Sequence, residues 1–169
     1  MVSSLVPVSR EEAHPSSLSA LVGLECQPLH TDGAHLRPPP DVIVLASAAP
    51  NATPTRLFRP EAGAAPVDAM SNGIFRVDSG KDYFYATARP VLRLRYDPGC
   101  MTPCDQRARA VSEYFNEAQG RAQLHHWTET AGQVLAIHNK SVLHARDAVA
   151  ASDTERALQR VAFWFPETR

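Results

Sequence analysis

Gly132-Gln-Val-Leu-Ala-Ile-His138-Asn-Lys-Ser-Val-Leu-His144-Ala-Arg146 is the stretch on which the fold turns. Two apolar runs flank a polar centre, which predicts strand, tight turn at Asn139-Lys140, strand. Such a hairpin carries His144 to an interior position beside an apolar strand. Short β-rich runs continue outward from it: Gln123–Thr128 before, Arg156–Phe165 after, and, further upstream, Asp41–Ser47, Ile74–Val77, Tyr83–Ala88 and Val91–Tyr96. In the last of these Val91, Arg93 and Arg95 would share one face and Leu92, Leu94 and Tyr96 the other. One segment changes period. Ala108, Val111, Phe115 and Ala118 recur three or four apart, predicting an amphipathic helix over Asp105–Gln119 with Asp105 as N-cap and Gly120 as the stop. Many short strands, one interposed helix and no strand–helix–strand alternation predict an antiparallel sandwich or barrel.

The remaining segments read as connections. Residues 1–25 are irregular, with a short helix near Ser16–Gly23. Pro38-Pro-Pro40 forces an extended path. Residues 48–72, rich in Ala, Pro, Asn and Thr, read as a long loop with one helical turn near Pro66–Met70, and long loops in compact domains often cover active sites. A chain of 169 residues is expected to form one domain. Its formal net charge of −1 gives no polyanion-binding surface, so nucleic acid is not an expected partner. No apolar run reaches the ~20 residues of a membrane span, and the N-terminus lacks a secretory leader's basic start and apolar core. A cytoplasmic protein with no membrane partner is the expectation. Cys26, Cys100 and Cys104 are too few for a disulfide framework. Cys100 and Cys104 could join His125 and His126 in a zinc site, or be ordinary loop thiols.

Three features carry chemistry. His30-Thr-Asp32 places an imidazole and a carboxylate on one face if the segment is extended, although a surface His near a turn Asp reads equally well. His144 on its hairpin could be a core histidine or a third ligand. Arg156 and Arg160 lead into Val161-Ala-Phe-Trp-Phe165. An arginine turned inward needs an anion, and the guanidinium fork suits a carboxylate.

Taken in order, His-x-Asp, a long interval of strands and a helix, a hairpin His and then an Arg resembles the 2-oxoglutarate-dependent non-haem Fe(II) oxygenases. The group is the one that contains taurine dioxygenase, clavaminate synthase and γ-butyrobetaine hydroxylase. The resemblance runs from Leu29 to Phe165. It is carried by His30-Thr-Asp32-Gly33, Pro39 and Val42–Leu45 at one end, and by Trp127, Gly132–Leu135, His138-Asn139 and Val142–Arg146 at the other; residues 60–100 match poorly. It implies a mainly β double-stranded β-helix, a jelly-roll or cupin-like barrel, with one or two flanking helices.

It also implies roles for single residues. His30, Asp32 and His144 would bind Fe(II) as a facial triad, leaving three cis positions for cosubstrate and O2. Arg156 would clamp the distal carboxylate of 2-oxoglutarate, helped by Thr53 or Thr55, with Thr55 favoured. Arg160 and Arg146 would face the substrate, with Arg93 and Arg95 as further cations. The implied reaction is hydroxylation, or desaturation, of a small acid-bearing substrate such as an amino acid or natural-product intermediate, with release of succinate and CO2. Related halogenases replace the carboxylate ligand with a small residue, so Asp32 points away from chlorination. Few residues precede His30 compared with relatives, which predicts a homodimer covering an exposed sheet. Two other readings fit the same residues: a cupin-like metal enzyme without 2-oxoglutarate, and a non-catalytic ligand-binding barrel.

Overall fold

A computed structural model describes residues 2–61, 63, 65–90 and 93–166. The strands in chain order are β1 (Val2–Leu5), β2 (Val42–Ser47), β3 (Thr55–Phe58), β4 (Phe75–Asp78), β5 (Tyr83–Ala86), β6 (Met101–Pro103), β7 (Gln123–His125), β8 (Val134–Ile137), β9 (Leu143–Arg146) and β10 (Leu158–Phe163). The helices are α1 (Leu18–Val22), α2 (Val67–Asn72) and α3 (Gln106–Ala118). Among the described residues the strands form three antiparallel sheets, ordered β1-β10-β2-β8, β7-β3-β9 and β5-β4-β6. The architecture is mainly β and jelly-roll-like, as the short alternating strands predict. No helix among the described residues is long and apolar enough to cross a membrane.

The first two sheets position the site. In β2, Ile43, Leu45 and Ser47 are buried while Val42, Val44 and Ala46 alternate outward. Leu45 faces Arg160 of β10 and Leu135 of β8, and Arg160 faces Ser3 of β1, so the inner face of the four-stranded sheet carries one cation in this row. In β9, Leu143 and Ala145 turn toward the main core, packing with Val111, Phe115 and Ala118 of α3. His144 therefore points the other way. Asp105 caps α3 by accepting the Ala108 N–H, as expected, but the helix does not stop at Gly120: it tightens into a 3-10 turn over Gln119–Arg121.

Three segments depart from the sequence reading. Residues 48–72 are not one long loop, because Thr55–Phe58 is the central strand β3, bonded to β7 on one side and β9 on the other. Four residues are too few to show a period; the partners supply the order. Val2–Leu5, inside the stretch read as irregular, adds a strand to the edge of β10. Arg93–Tyr96 is not a strand, and Val91 and Leu92 lie outside the described residues. Leu94 and Arg95 each donate a single backbone bond, to the carbonyls of Lys140 and Ala88, in place of a ladder.

Candidate metal centre and active site

The two proximal candidates, His30 and Asp32, sit on an extended segment that is not a regular strand. The His30 and His144 backbones exchange both hydrogen bonds, N to O at 3.0 and 2.8 Å, forming an isolated bridge. That bridge brings the imidazoles face to tilted face, with centroids 4.5 Å apart. Asp32 follows at the turn. Its Oδ1 lies 3.9 Å from Nε2 of His30 and 3.9 Å from Nε2 of His144. One ligand atom from each residue lies within 4.8 Å of the other two.

The donor chemistry fits a divalent metal. His30 Nδ1 lies 2.9 Å from the Pro28 carbonyl, which can only accept, so Nδ1 carries the proton and Nε2 presents a lone pair. Burial, with His30 and Arg160 nearby, pushes the His144 pKa down to about 3 against the pull of Asp32, so its ring is neutral near pH 7. A neutral imidazole has no proton to lose on binding a metal at that nitrogen's lone pair. Burial opposes the charge on Asp32, but His144, His30 and Arg160 outweigh it and hold the carboxyl below its ordinary range. Cis ligands about 2.1 Å from a metal stand roughly 3 Å apart, so the Asp32 oxygen, 3.9 Å from each imidazole nitrogen, would draw in by about 1 Å on an ion.

Two side chains hold Asp32, one on its carboxylate and one on its backbone. Arg160 Nη1 meets its second oxygen, Oδ2, at 3.3 Å, leaving Oδ1 for a metal. The Asn139 carboxamide grips its backbone, accepting the Asp32 N–H at 2.9 Å and donating to the Asp32 and Pro40 carbonyls at 3.0 and 2.8 Å. In the sequence Asn139 stands as a turn residue and as part of the distal block of the resemblance; neither says anything of the distant Asp it holds.

The triad opens into a cavity of about 280 Å³ between the two sheets, reached by Thr55 of β3, Arg146 of β9, Arg160 of β10 and Arg156. Arg156 precedes β10 and is half-buried. Its Nη1 has only two long contacts, 3.4 Å to Asn51 Oδ1 and 3.3 Å to the Thr53 carbonyl. Burial and neighbouring Arg146 push its pKa down to about 10 despite Asp153. No carboxylate forms an ion pair with it among the described residues. A half-buried guanidinium with no carboxylate partner, facing a cavity, is a place for a carboxylate.

The two threonines separate. Thr55 lines the cavity, and its hydroxyl accepts from Trp127 Nε1 at 2.9 Å, leaving its own proton to donate. Thr53 is turned away, bonded to Asp153 Oδ2 through both its N–H and its hydroxyl. The arginines separate as well. Arg146 lines the cavity but spends its guanidinium on the carbonyls of Gly23, Leu24 and Asp147, closing the end of α1. Arg95 holds the carbonyls of Ala34, Leu36 and Arg37, and Arg93 pairs with Asp41; neither lines the cavity. Cys100 and Cys104 do not converge with His125 and His126 among the described residues. Burial, then Asp97, pushes the Cys100 thiol up to about 12.

Neither a protein-family model nor a curated relative matches the sequence. Solved structures do match. An asparagine oxygenase in complex with Fe(II), 2S,3S-3-hydroxyasparagine and succinate superposes with a TM-score of 0.72 at 20% identity, over 96% of this chain and 56% of that one. The chain has the fold of the non-haem iron oxygenases. A second such oxygenase, OrfP in complex with Fe and alpha-ketoglutaric acid, gives a TM-score of 0.70 at 18% identity, over 96% and 56%. The chain thus spans just over half the length of these oxygenases.

Proposed function

We propose that this chain is an Fe(II)- and 2-oxoglutarate-dependent oxygenase that hydroxylates a small amino acid or a related zwitterion. The observation that carries this is Arg156 in the same cavity as the His30, Asp32 and His144 donors. Iron alone is served by the triad. A half-buried guanidinium lacking an anionic partner is served only if something brings a carboxylate, and 2-oxoglutarate has one at each end. Bound iron and 2-oxoglutarate would supply the oxidising chemistry, with succinate and CO2 as by-products. The chain's own residues bind and orient. Asn139 and Arg160 aim Asp32, Pro28 fixes the His30 tautomer, Thr55 and Arg156 hold the far carboxylate, and Leu45 and Leu158 keep that end of the cavity apolar.

The substrate class follows from the charges that are left. Asp97 lines the cavity and is tied to the metal loop, because Tyr96 accepts at its carbonyl from the Thr31 N–H at 2.7 Å. Its carboxylate accepts from Gly99 N and has no cationic partner among the described residues. A substrate ammonium would satisfy it, and Arg160, which lines the same cavity and touches Asp32 through one long contact, keeps guanidinium donors for a substrate carboxylate. The fold neighbours crystallised with hydroxyasparagine and (3S)-hydroxy-L-Arg support an amino acid.

Anaerobic addition of Fe(II) and 2-oxoglutarate tests the reading. A weak visible charge-transfer band in the wild type, lost in His144→Ala and Arg156→Ala, is expected, as is loss of 2-oxoglutarate turnover in Asp32→Ala. Iron binding without the band would favour a cupin-like enzyme that does not use 2-oxoglutarate. No iron binding by folded protein would favour a non-catalytic barrel.

We also infer a homodimer. On the outer face of the four-stranded sheet, Val2, Val161, Val44 and Ala136 lie in one row, flanked by Val134 and Phe163, with no charged side chain on that face among the described strands. The face also carries Ser4 and Gln159, and an uncharged face centred on an apolar row suits a second copy of itself, since no like charges meet. Light scattering is expected to give a dimer that Val44→Lys converts to monomer. A wild-type monomer at working concentrations contradicts it.

A further inference from the structure

We propose that Gln119 is a positioning residue for the metal centre: its carboxamide stands in for a β-strand along the free edge of Gln27–His30 and so sets where His30 presents its ring. This rests on the metal site of the reading above. One edge of that segment is bonded to β9 through Gln27 N to the Arg146 carbonyl at 2.9 Å and through the His30–His144 bridge. The other edge faces the end of α3, and no strand pairs there among the described residues.

Leu29 N and the Gln27 carbonyl on that edge are met by one side chain. Gln119 Oε1 accepts from Leu29 N at 2.9 Å, and Gln119 Nε2 donates to the Gln27 carbonyl at 2.9 Å and to Cys26 Sγ at 3.0 Å. A primary carboxamide carries the same donor and acceptor as a peptide group, so it completes the edge as a neighbouring strand would. Leu29 is 1% exposed, so water is a poor substitute for the lost acceptor.

The two gripped residues bracket Pro28, whose carbonyl accepts from His30 Nδ1. Gln119 thereby holds the group that fixes the tautomer and direction of a metal-ligating imidazole. Its own place is secured by the end of α3 and by Arg56, which donates to the Gln119 carbonyl at 3.3 Å while pairing with Asp147 at 3.0 Å. A purely structural glutamine would stabilise the fold and leave metal affinity alone. A positioning glutamine sets the affinity, because partners that orient a ligating His change metal binding by about 10–100-fold.

The test measures Co(II) affinity and the Co(II) visible spectrum, beside the melting temperature of the metal-free protein. Gln119→Met keeps the length and loses both bonds. It is expected to weaken Co(II) binding on the order of 10-fold and to alter the spectrum, even when measured well below its melting temperature. Gln119→Glu keeps the acceptor, loses the donor and is expected to fall between Met and wild type; it decides the question if the Met variant does not fold. Unchanged affinity and spectrum in folded variants overturns the proposal. Co(II) binding by wild type that survives His144→Ala instead overturns the metal site itself.

Discussion

Thr53 and Thr55 stand either side of Pro54, yet they are set to opposite tasks. Thr55 has accepted from Trp127 and has a proton to give inside the cavity, whereas Thr53 has given its proton to Asp153. Thr55→Val is therefore expected to raise the KM for 2-oxoglutarate about tenfold, the loss of one hydrogen bond to a charged group, while Thr53→Val leaves it near wild type. Stability behaves the other way. Thr53 is buried, and Thr53→Val is expected to cost about 1.5–3 kcal/mol in urea unfolding at pH 7 by removing a bond to a carboxylate. The sign with pH is fixed by Asp153. Burial opposes its charge, but the bonds from Thr53 and Ser152 and from the Ala52 and Thr53 backbone lower its pKa. A lowered folded-state pKa stabilises above the ordinary carboxylate value and the contribution fades as pH falls through the folded value. The gap between wild type and Thr53→Val should thus be full at pH 7 and narrow below about pH 4. Equal KM effects for both variants would return the threonines to equivalence. Spacing alone could not separate them, because two threonines at i and i+2 share a face in any extended reading; only the resemblance favoured Thr55, and the physical difference lies in Asp153, distant in the chain.

At the scale of elements, what the sequence made legible was whatever is decided locally. α3 carries its own period and its own N-cap, so Asp105 and the buried Ala108, Val111, Phe115 and Ala118 were readable from spacing. The β8–β9 hairpin was readable because apolar runs flank a polar turn. The candidate metal site was legible only as an ordered set, since His-x-Asp alone has too many innocent explanations; the fold brings the three side chains together. β3 was hidden because Thr55-Arg-Leu-Phe58 has no alternation of its own and is a strand by virtue of β7 and β9 beside it. β1, with two serines in four residues, is likewise ordered by pairing with β10. Arg93–Tyr96 failed in the reverse sense. Its alternation is real, but the Arg95 guanidinium, drawn from water to three carbonyls of the 34–37 turn, binds it to a loop instead of a sheet. Arg156 and Arg160 both lead into β10 and both line the cavity, but Arg160 also reaches Asp32, a contact that separates the two. That distinction depends on a strand register, which one sequence does not contain.

For the whole molecule, the site links two sheets that also pack together where Leu57 of β3 meets Ile43, Leu45 and Ile137. His144 belongs to the three-stranded sheet through β9, and Asp32 is pinned to the four-stranded sheet through Arg160 of β10. A metal bound by both residues therefore braces the two sheets against each other and must raise the stability of the assembled fold. A ligand at 100 times its Kd adds about 2.7 kcal/mol, and each kcal/mol moves the melting temperature by roughly 2–4 °C in a protein of this size. Saturating Fe(II) without oxygen is expected to raise Tm by about 5–11 °C, and a chelator should reverse it. His144→Ala should show no such rise. 2-Oxoglutarate should add a second increment only when metal is present, and Arg156→Ala should lose that second increment while keeping the first. The order is what discriminates. If 2-oxoglutarate stabilised the metal-free protein as much as the metal-loaded one, Arg156 would be binding a carboxylate with no help from iron, and the shared cavity would not be the shared site of metal and cosubstrate.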